Sequence, residues 1–330
     1  MLCRLSLLLL VAVVVVFVIY DARSSSNSNS DNAPTVHLVK LPNDLEVSLE
    51  SRFRAWQQAH GKTYSTSNEY LHRLANFQAS LARVQSHNAQ PQRTFDMGVT
   101  LFADLSDEEF LQLVETKITD CYANGTSTSH FPQQPLLTLP NAIDWRERGA
   151  VTPVKNQGQC GSCWAFATVA ALEAHHFIHT GKRLILSEQQ LVDCSRAYGN
   201  MGCHGGWPAS ALQYIVESKS GLVQADQYPY EAKDGQCRTP AVSKFLRPAP
   251  ASVKVRSVFN ITQNDEQGLE MAVAAYGPVT IAFKVTPDIR LYKSGVYSSK
   301  DCGKKLGPQD LTHAVTVVGF GREEGGKSAE

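Results

Sequence analysis

The stretch Gln157-Gly-Gln-Cys-Gly-Ser-Cys-Trp-Ala-Phe166 decides the interpretation of this 330-residue chain. Its glycines permit a tight turn, and the apolar period over 165–179, closed by Gly181, predicts that a helix follows. Cys163 therefore lies in the first turn of that helix, where unpaired N–H groups and the helix dipole favour a negatively charged thiolate. The thiolate is the nucleophilic form of cysteine, and a neighbouring base would complete its activation.

Spacing alone leaves three interpretations of the two cysteines in this stretch. Cys160 and Cys163 could form a C-x-x-C redox pair, could be half of a zinc site, or could be a structural cysteine followed by a nucleophile. No second C-x-x-C follows, which disfavours zinc, and no βαβ pattern precedes the motif, which disfavours a redox pair. The nucleophile is favoured, and the other two interpretations stay open on spacing alone.

Charge and targeting signals narrow the class of protein. The chain has 31 basic and 31 acidic residues, so its charge gives no general attraction to nucleic acid. An uncharged apolar run over 5–20 follows Arg4 and predicts a signal peptide cleaved near Ala22, with an uncleaved anchor as the alternative. Secretion favours disulfides over zinc among the eight cysteines. Asn124 and Asn260 each begin an Asn-x-Thr acceptor for N-glycosylation.

The N-terminal third of the chain carries helix signals. The sequence predicts a helix over Leu45–His60, stopped by Gly61. The capping-box pair Thr66 and Glu69 predicts a second helix that runs to about Asn88. The stretch 123–140 is rich in Ser, Thr, Gln and Pro, and it predicts an exposed, cleavable linker.

The remaining chain is helical first and sheet-like later. After the helix that contains Cys163, Ser187 and Gln190 predict the cap of another helix through Cys194. Four stretches then have strand composition, namely Val253–Ile261, Pro278–Val285, Gly295–Ser299 and Ala314–Phe320. This order predicts an α+β arrangement for residues 139–330.

The run around Cys163 resembles the signature of the papain/cathepsin cysteine peptidases. Agreeing landmarks are Asp144-Trp-Arg146, Ser187-Glu-Gln189, Gly202-Cys-His-Gly-Gly206, His313-Ala-Val315 and Gly319-Phe-Gly321. Two upstream patterns resemble the inhibitory pro-domain of that family, namely the stripe Glu69, Arg73, Phe77, Val84, Asn88 and the motif Gly98, Thr100, Phe102, Asp104. Ser80 stands where the first pattern usually has Asn, and Thr100 is a replacement in the second.

The resemblance implies a papain-like two-domain fold of the α+β class. A helical domain and an antiparallel β-barrel-like domain would follow a helical pro-domain. The implied boundaries are a signal peptide over 1–22, a flexible linker over 23–45, an inhibitory pro-domain over 46–138 and a peptidase domain over 139–330.

The resemblance also implies roles for particular residues. Cys163 would be the nucleophile, His313 its base and later its acid, and Gln157 a donor in the oxyanion hole. Gly205 and Gly206 would offer backbone groups to an extended peptide, and Trp207, Pro208 and Ala314 would line a substrate pocket. The implied disulfides are Cys160–Cys203 and Cys194–Cys237.

The implied activity is that of a cathepsin L-like cysteine endopeptidase, made as a zymogen. No cofactor and no metal are implied. The expected partners are protein or peptide substrates, the pro-domain itself and cystatin-like inhibitors, and the expected location is the secretory pathway, lysosomal or extracellular. The acidic groups Asp104, Asp107, Glu108 and Glu109 are the candidates for release of the pro-domain at low pH.

The chain departs from the family near its C-terminus. The third catalytic residue, an Asn in an Asn-Ser-Trp-Gly run, does not occur after His313, and Cys302 has no implied partner. Both observations predict that the last strands of the fold are missing and that this product folds poorly and has little activity. An impaired product that acts as a protease inhibitor or decoy is therefore the alternative function.

Overall fold

The computed structural model describes residues 48–114, 129–130, 139–218, 221–238, 252–262, 265–300 and 311–321. These residues form seven α-helices: α1 Leu49–His60, α2 Ser67–Asn88, α3 Asp107–Val114, α4 Cys163–Thr180, α5 Glu188–Cys194, α6 Pro208–Glu217 and α7 Glu266–Ala275. They also form ten short strands: β1 Phe95–Met97, β2 Ser129–His130, β3 Ile143–Asp144, β4 Leu222–Val223, β5 Ser252–Val253, β6 Phe259–Asn260, β7 Val279–Phe283, β8 Tyr292–Gly295, β9 His313–Val317 and β10 Gly319–Phe320. No helix in these ranges is both long enough and apolar enough to cross a membrane.

Several predicted features lie outside the described residues. These are the signal peptide, the flexible linker, residues 45–47 of the first predicted helix, most of the cleavable linker, Asn124 and Cys302. The described residues divide into two compact units. The N-terminal unit consists of residues 48–110 with Pro287–Gly295, and the C-terminal unit consists of the other described residues.

The predicted end of the first helix and the predicted start of the second are confirmed, whereas α1 begins at Leu49 and not at Leu45. Ser48 caps α1, which ends at Gly61 in the left-handed conformation with φ 60°, where glycine has no steric penalty. Thr66 caps α2 by accepting a hydrogen bond from the N–H of Glu69. The Glu69 carboxylate reaches back to the N–H of Ser65 at 3.0 Å, which completes a capping box.

An aromatic core holds the N-terminal unit together. Phe53 and Phe77 are buried, and their ring centroids lie 5.1 Å apart. Trp56 lies at 5.4 Å from Phe77, and its Nε1 donates to the carbonyl of Thr100 at 3.0 Å. Antiparallel pairing of β1 with β8 brings residues 292–295 into this same unit.

The helix α4 forms the centre of the C-terminal unit. Ten of its residues are buried, including Trp164 at 0% exposure, so it is apolar on nearly every side. It packs with α5 and α6 in one hydrophobic cluster. The predicted ends are confirmed: α4 ends at Gly181 with φ 70°, and Ser187 caps α5 by accepting from the N–H of Gln190.

The strands pair two by two within the described residues. The pairs β7–β9, β3–β10, β4–β5 and β1–β8 are antiparallel, whereas β2–β6 is parallel. A second cluster of the C-terminal unit packs against β9, and in it the Nε1 of Trp145 donates to the carbonyl of Val273 at 2.8 Å.

Three strand predictions need correction, and three helices, α3, α6 and α7, were not predicted. The stretch Val253–Ile261 is two short strands, β5 and β6, with an irregular segment between them. The predicted strand over Gly295–Ser299 is wrong, because β8 ends at Gly295, where φ is 97° and the extended ladder stops. The stretch Ala314–Phe320 is divided between β9 and β10. The helices α6 and α7 carry start signals, namely Pro208 at the first position and the cap Asp265.

Candidate active site

The Cys163 thiol lies at the N-terminus of a buried helix. Cys163 is the first residue of α4, is 2% exposed and is not part of a disulfide. Cys160 is joined to Cys203 instead, and the N–H of Gly161 donates to the Cys203 carbonyl at 2.8 Å. The redox-pair interpretation is therefore excluded, because Cys160 and Cys163 do not pair with each other.

His313 lies beside this thiol on β9. The N–H of the next residue, Ala314, donates to the Sγ of Cys163 at 3.4 Å, which fixes β9 against the start of α4. On the neighbouring strand, Phe283 is paired with His313, and the two rings meet edge to face at 5.9 Å.

The surroundings of His313 favour the protonated imidazole. Burial is the largest influence and lowers the pKa of His313. The hydrogen bond and the charge of Cys163, together with a hydrogen bond that the imidazole donates to the backbone of Val114, outweigh it and raise the pKa above its ordinary value. The raised pKa is in the direction that a protonated imidazole beside a thiolate requires.

One nitrogen of the His313 ring has no protein partner in the described part of the chain. Nδ1 is buried and makes no hydrogen bond there. A buried polar atom without a partner costs on the order of 1–3 kcal/mol, so such atoms are rare and concentrate at functional sites.

The side chain of Gln157 lies in the turn before α4. Its Nε2 donates to the carbonyl of Cys160 at 2.9 Å, and Gln157 is partly exposed. A side-chain amide has two N–H donors. The bond to Cys160 uses one of them and orients the amide, so the second N–H is left for another acceptor.

Tyr230 holds this turn, and sequence analysis missed it. Its hydroxyl donates to the carbonyl of Gln157 at 2.7 Å and lies 2.7 Å from the hydroxyl of Ser162. A tyrosine hydroxyl has one proton, and Tyr230 uses it in the hydrogen bond to the carbonyl of Gln157. In the second hydrogen bond Ser162 is therefore the donor and Tyr230 the acceptor. Tyr230 thus bridges the two sides of the turn that precedes Cys163. The contact spans 73 positions, and no local pattern signals it.

A buried ionic cluster stands behind the same loop. Lys155 lies 2.6 Å from Glu173 on α4 and 2.6 Å from Glu188 on α5. Thr152 adds a hydrogen bond of 2.5 Å to Glu173. Burial raises the pKa of Glu188, and the charge of Lys155 counteracts that rise. The cluster ties the loop over 152–157 to two helices, and no motif in the sequence indicated it.

The predicted glycines form a wall beside α4. Gly205 has φ 123°, and its carbonyl accepts from the N–H of Met201 at 2.8 Å, so that oxygen faces its own chain. Gly206 makes no backbone hydrogen bond to the described residues. A Cβ at Gly206 would come within 2.6 Å of the ring of Trp164, so this wall has no room for a side chain.

The other predicted residues are placed as follows. Trp207 is partly exposed, and its N–H donates to Asn200 at 2.7 Å, whereas Pro208 and Ala314 are buried. That Trp207, Pro208 and Ala314 line one substrate pocket stays a prediction. Asn260 is exposed on β6.

The disulfides and the possible metal ligands of the C-terminal unit also bear on the predictions made above. Cys194 is joined to Cys237, and the Cys160–Cys203 bond completes the pairing that the resemblance implies. Within the described ranges, no three His, Cys, Asp or Glu side chains gather as they would around a metal ion.

Comparison with known proteins agrees with this site. Residues 139–328 match the papain family cysteine protease domain, and residues 53–110 match the cathepsin propeptide inhibitor domain. The fold and site thus define the precursor of a cysteine peptidase. The chain belongs to the papain family of cysteine proteases.

Individual relatives support the same assignment. The chain is 44% identical to pro-cathepsin H of Mus musculus, over 83% of this chain and 78% of that protein. It is 39% identical to procathepsin L of Mus musculus, over 84% of this chain and 79% of that protein. Its fold matches digestive procathepsin L 3 of Tenebrio molitor with a TM-score of 0.71 and 33% identity, over 84% and 86% of the two chains.

Proposed function

We propose that this chain is the precursor of an endopeptidase that cleaves peptide bonds through Cys163 and His313. The observation that carries the proposal is the joint placement of the Cys163 thiol at the start of α4 and of His313 beside it on β9. The helix dipole and the imidazolium both stabilise the thiolate, so each raises the fraction of Cys163 that is in the nucleophilic form.

The chemistry follows in two steps. The Sγ of Cys163 attacks the carbonyl carbon of a peptide bond, the C–N bond breaks, and His313 gives its proton to the departing amine. Water then attacks the thioester, His313 takes a proton from it, and the acid is released with return of the thiolate. In both steps the second N–H of Gln157 and the backbone N–H of Cys163 would stabilise the oxyanion, a contribution of about 10²–10³ in rate for one such donor. The hydrogen bond between His313 and Cys163 places the imidazole where it can pass the proton.

Substrate binding uses the glycine wall. An extended peptide would pair with the backbone of Gly206, in the manner of an added strand. The absence of a side chain lets Gly206 pack directly against Trp164 and so keeps this backbone beside the start of α4. Trp207, Pro208 and Ala314 would receive an apolar side chain, and cystatin-like inhibitors would bind the same cleft.

A contact at the C-terminal end of α3 supports inhibition by the pro-region. Val114, the last residue of α3, hydrogen-bonds through its backbone to His313. A pro-segment in that place would keep substrate from the imidazole. We further propose passage through the secretory pathway to a lysosomal or extracellular destination, with a glycan on the exposed Asn260.

Substitution of the two central residues tests this function. Cys163→Ala should abolish cleavage of a fluorogenic peptide at acidic pH, and His313→Ala should lower kcat/KM by about 10²–10⁴. The matched control is His179→Ala, which removes an exposed imidazole from the far end of α4. Alkylation by iodoacetamide, mapped by mass spectrometry, should label Cys163 in the wild-type chain.

The same assay separates the alternatives. A folded chain with no hydrolysis and an unreactive Cys163 would favour the inhibitor or decoy. Equal losses in the His313 and His179 variants would refute the role of His313.

A further inference from the structure

Arg290 is a buried arginine with an unusual set of partners. It lies in the short 3₁₀ segment Pro287–Leu291 and is 5% exposed. Its guanidinium donates to Ser80 Oγ at 2.9 Å, to the Phe102 carbonyl at 3.1 Å and to Asp107 Oδ1 at 3.0 Å. Its own carbonyl accepts from Thr100 Oγ1 at 2.6 Å. All four partners lie in the part that matches the propeptide inhibitor domain, whereas Arg290 lies in the part that matches the protease.

Two of these partners are the positions at which the chain departs from the pro-domain patterns. Ser80 replaces an Asn, and Thr100 is the replacement in the second motif. Ser80 is 1% exposed, and its hydroxyl donates to the Ala103 carbonyl at 2.8 Å while it accepts from Arg290. A larger side chain at this position would compete for the space that the guanidinium fills. Both departures therefore serve one arginine more than 180 positions away.

Because its guanidinium is buried, Arg290 stabilises this contact only when the facing residues accept its hydrogen bonds and balance its charge. Taking an arginine out of water is costly unless its donors and its charge are met. Here Asp107 supplies the charge, and the planar donor fork of Arg290 meets three separate acceptors. The neighbouring pairing of β1 with β8 uses backbone groups alone and carries no such condition.

We propose that Ser80, Thr100, Asp107 and Arg290 form a recognition site, the Arg290 site, through which the pro-region selects the peptidase that it covers. The partner that this surface fits is a papain-family peptidase with arginine at the position of Arg290. Peptidases with an apolar side chain there would remove the arginine that donates to the Ser80 hydroxyl. They would also remove one of the two arginines that donate to Asp107, the other being Arg83. This inference rests on the proposed function only in that the covered partner is an active peptidase.

Amide hydrogen exchange in the full precursor tests the site. All variants carry Cys163→Ala, so that self-cleavage plays no part. The reporter is the N–H of Gly98, which donates to the Leu291 carbonyl at 2.8 Å and so reports directly on the seating of the 287–295 segment. Arg290→Met should lower its protection by about tenfold, and Ser80→Asn should lower it by a similar factor.

The double variant gives the sharper result. Ser80→Asn should be harmful beside Arg290 but should restore protection when combined with Arg290→Met, because the space of the guanidinium is then empty. Arg54→Met is the matched control, because Arg54 belongs to an exposed i,i+4 pair with Glu50 in the same unit. It should leave the exchange of Gly98 within about twofold of wild type.

Three outcomes decide the proposal. A sign reversal of Ser80→Asn in the double variant supports it. Additive effects of the two substitutions, or unchanged protection in Arg290→Met, overturn it. Amides of α4 serve as the check that each variant is folded. Because no readout depends on catalysis, failure of the Arg290 site and failure of the proposed peptidase activity are distinguishable.

Discussion

Single hydrogen-bond donors hold the proposed catalytic groups of this protein in place. The N–H of Ala314 meets the Cys163 sulfur, and the hydroxyl of Tyr230 meets the carbonyl of Gln157. Neither donor belongs to the motif that identifies the nucleophile. The motif therefore contains the proposed catalytic residues, while residues far along the chain hold them in place.

Loss of the Tyr230 hydroxyl should affect catalysis more than binding. Tyr230→Phe would leave Gln157 and Ser162 without their shared partner, so the amide of Gln157 would be less well oriented. We expect kcat to fall by about 5- to 30-fold, less than removal of an oxyanion donor itself, with KM and the pH profile little changed.

A second tyrosine provides the control for that experiment. Tyr198→Phe removes a hydroxyl that pairs with Glu217 on α6, outside the turn. It should leave kcat close to wild type. A rise in KM with constant kcat in Tyr230→Phe would place the residue in binding, and would contradict its role as a positioning residue.

At the scale of elements, helices were easier to predict than strands. The caps Thr66 and Ser187 and the terminal glycines Gly61 and Gly181 act within one turn, so the sequence contains both donor and acceptor. The strand β8 ends at Gly295 because of its pairing with β1, which lies almost two hundred positions earlier. No window of local sequence contains such a partner.

The same distinction applies to the candidate site. Cys163, His313 and Gln157 could be named in advance because a specific motif carries them. Tyr230, Lys155 and the N–H of Ala314 could not, because their importance depends on contacts made only after folding.

The pairing of α2 with α3 should respond to pH through Glu109. Its carboxylate accepts from Arg73 at 2.9 Å, from Asn76 at 3.1 Å and from the N–H of Ser106 at 2.8 Å, and it lies 3.4 Å from His72. Burial is the largest influence and raises the pKa of Glu109, but the hydrogen bonds and cationic neighbours together lower it below its ordinary value of 4.5. The folded carboxylate is therefore the more acidic, so its stabilisation is present above the unfolded pKa and is lost as pH falls through the folded value.

Glu109→Gln should make the free energy of unfolding depend less on pH in the acidic range. Glu109→Gln is introduced into the Cys163→Ala precursor, and that precursor without it is the reference. At neutral pH the Glu109→Gln protein should have the lower free energy of unfolding, and this free energy should fall less steeply below about pH 4.5 than that of the reference. Urea unfolding at several pH values measures this. The control is the exposed neighbour Glu108→Gln. Equal slopes for the reference and Glu109→Gln would exclude this residue as an acid trigger.

At the scale of the whole molecule, two disulfides fasten the helical part of the C-terminal unit. Each joins cysteines 43 positions apart. One connects the turn before α4 to the segment at Cys203, and the other connects the end of α5 to the segment at Cys237. A cross-link over a loop of this length restricts the unfolded chain, and its removal typically costs about 2–5 kcal/mol.

Removal of the second cross-link should destabilise the chain without touching the thiol. The double substitution Cys194→Ser with Cys237→Ser should lower the free energy of unfolding by about 2–5 kcal/mol, measured by denaturant unfolding under oxidising conditions. Cys163→Ala is the matched control, because it removes a cysteine that is in no disulfide. A double variant as stable as the control would show that the cross-link does not hold this fold.

The Arg290 site also has a consequence for inheritance. Ser80 and Arg290 are 210 positions apart, yet one meets the other inside a single buried contact. A gene that encodes both passes them on together, whereas recombination between related genes, at any point from codon 81 to codon 290, would separate them. Under the proposed Arg290 site, selection on the arginine would act partly through a serine of the pro-region, so the inhibitory part of the precursor would shape the evolution of the peptidase part.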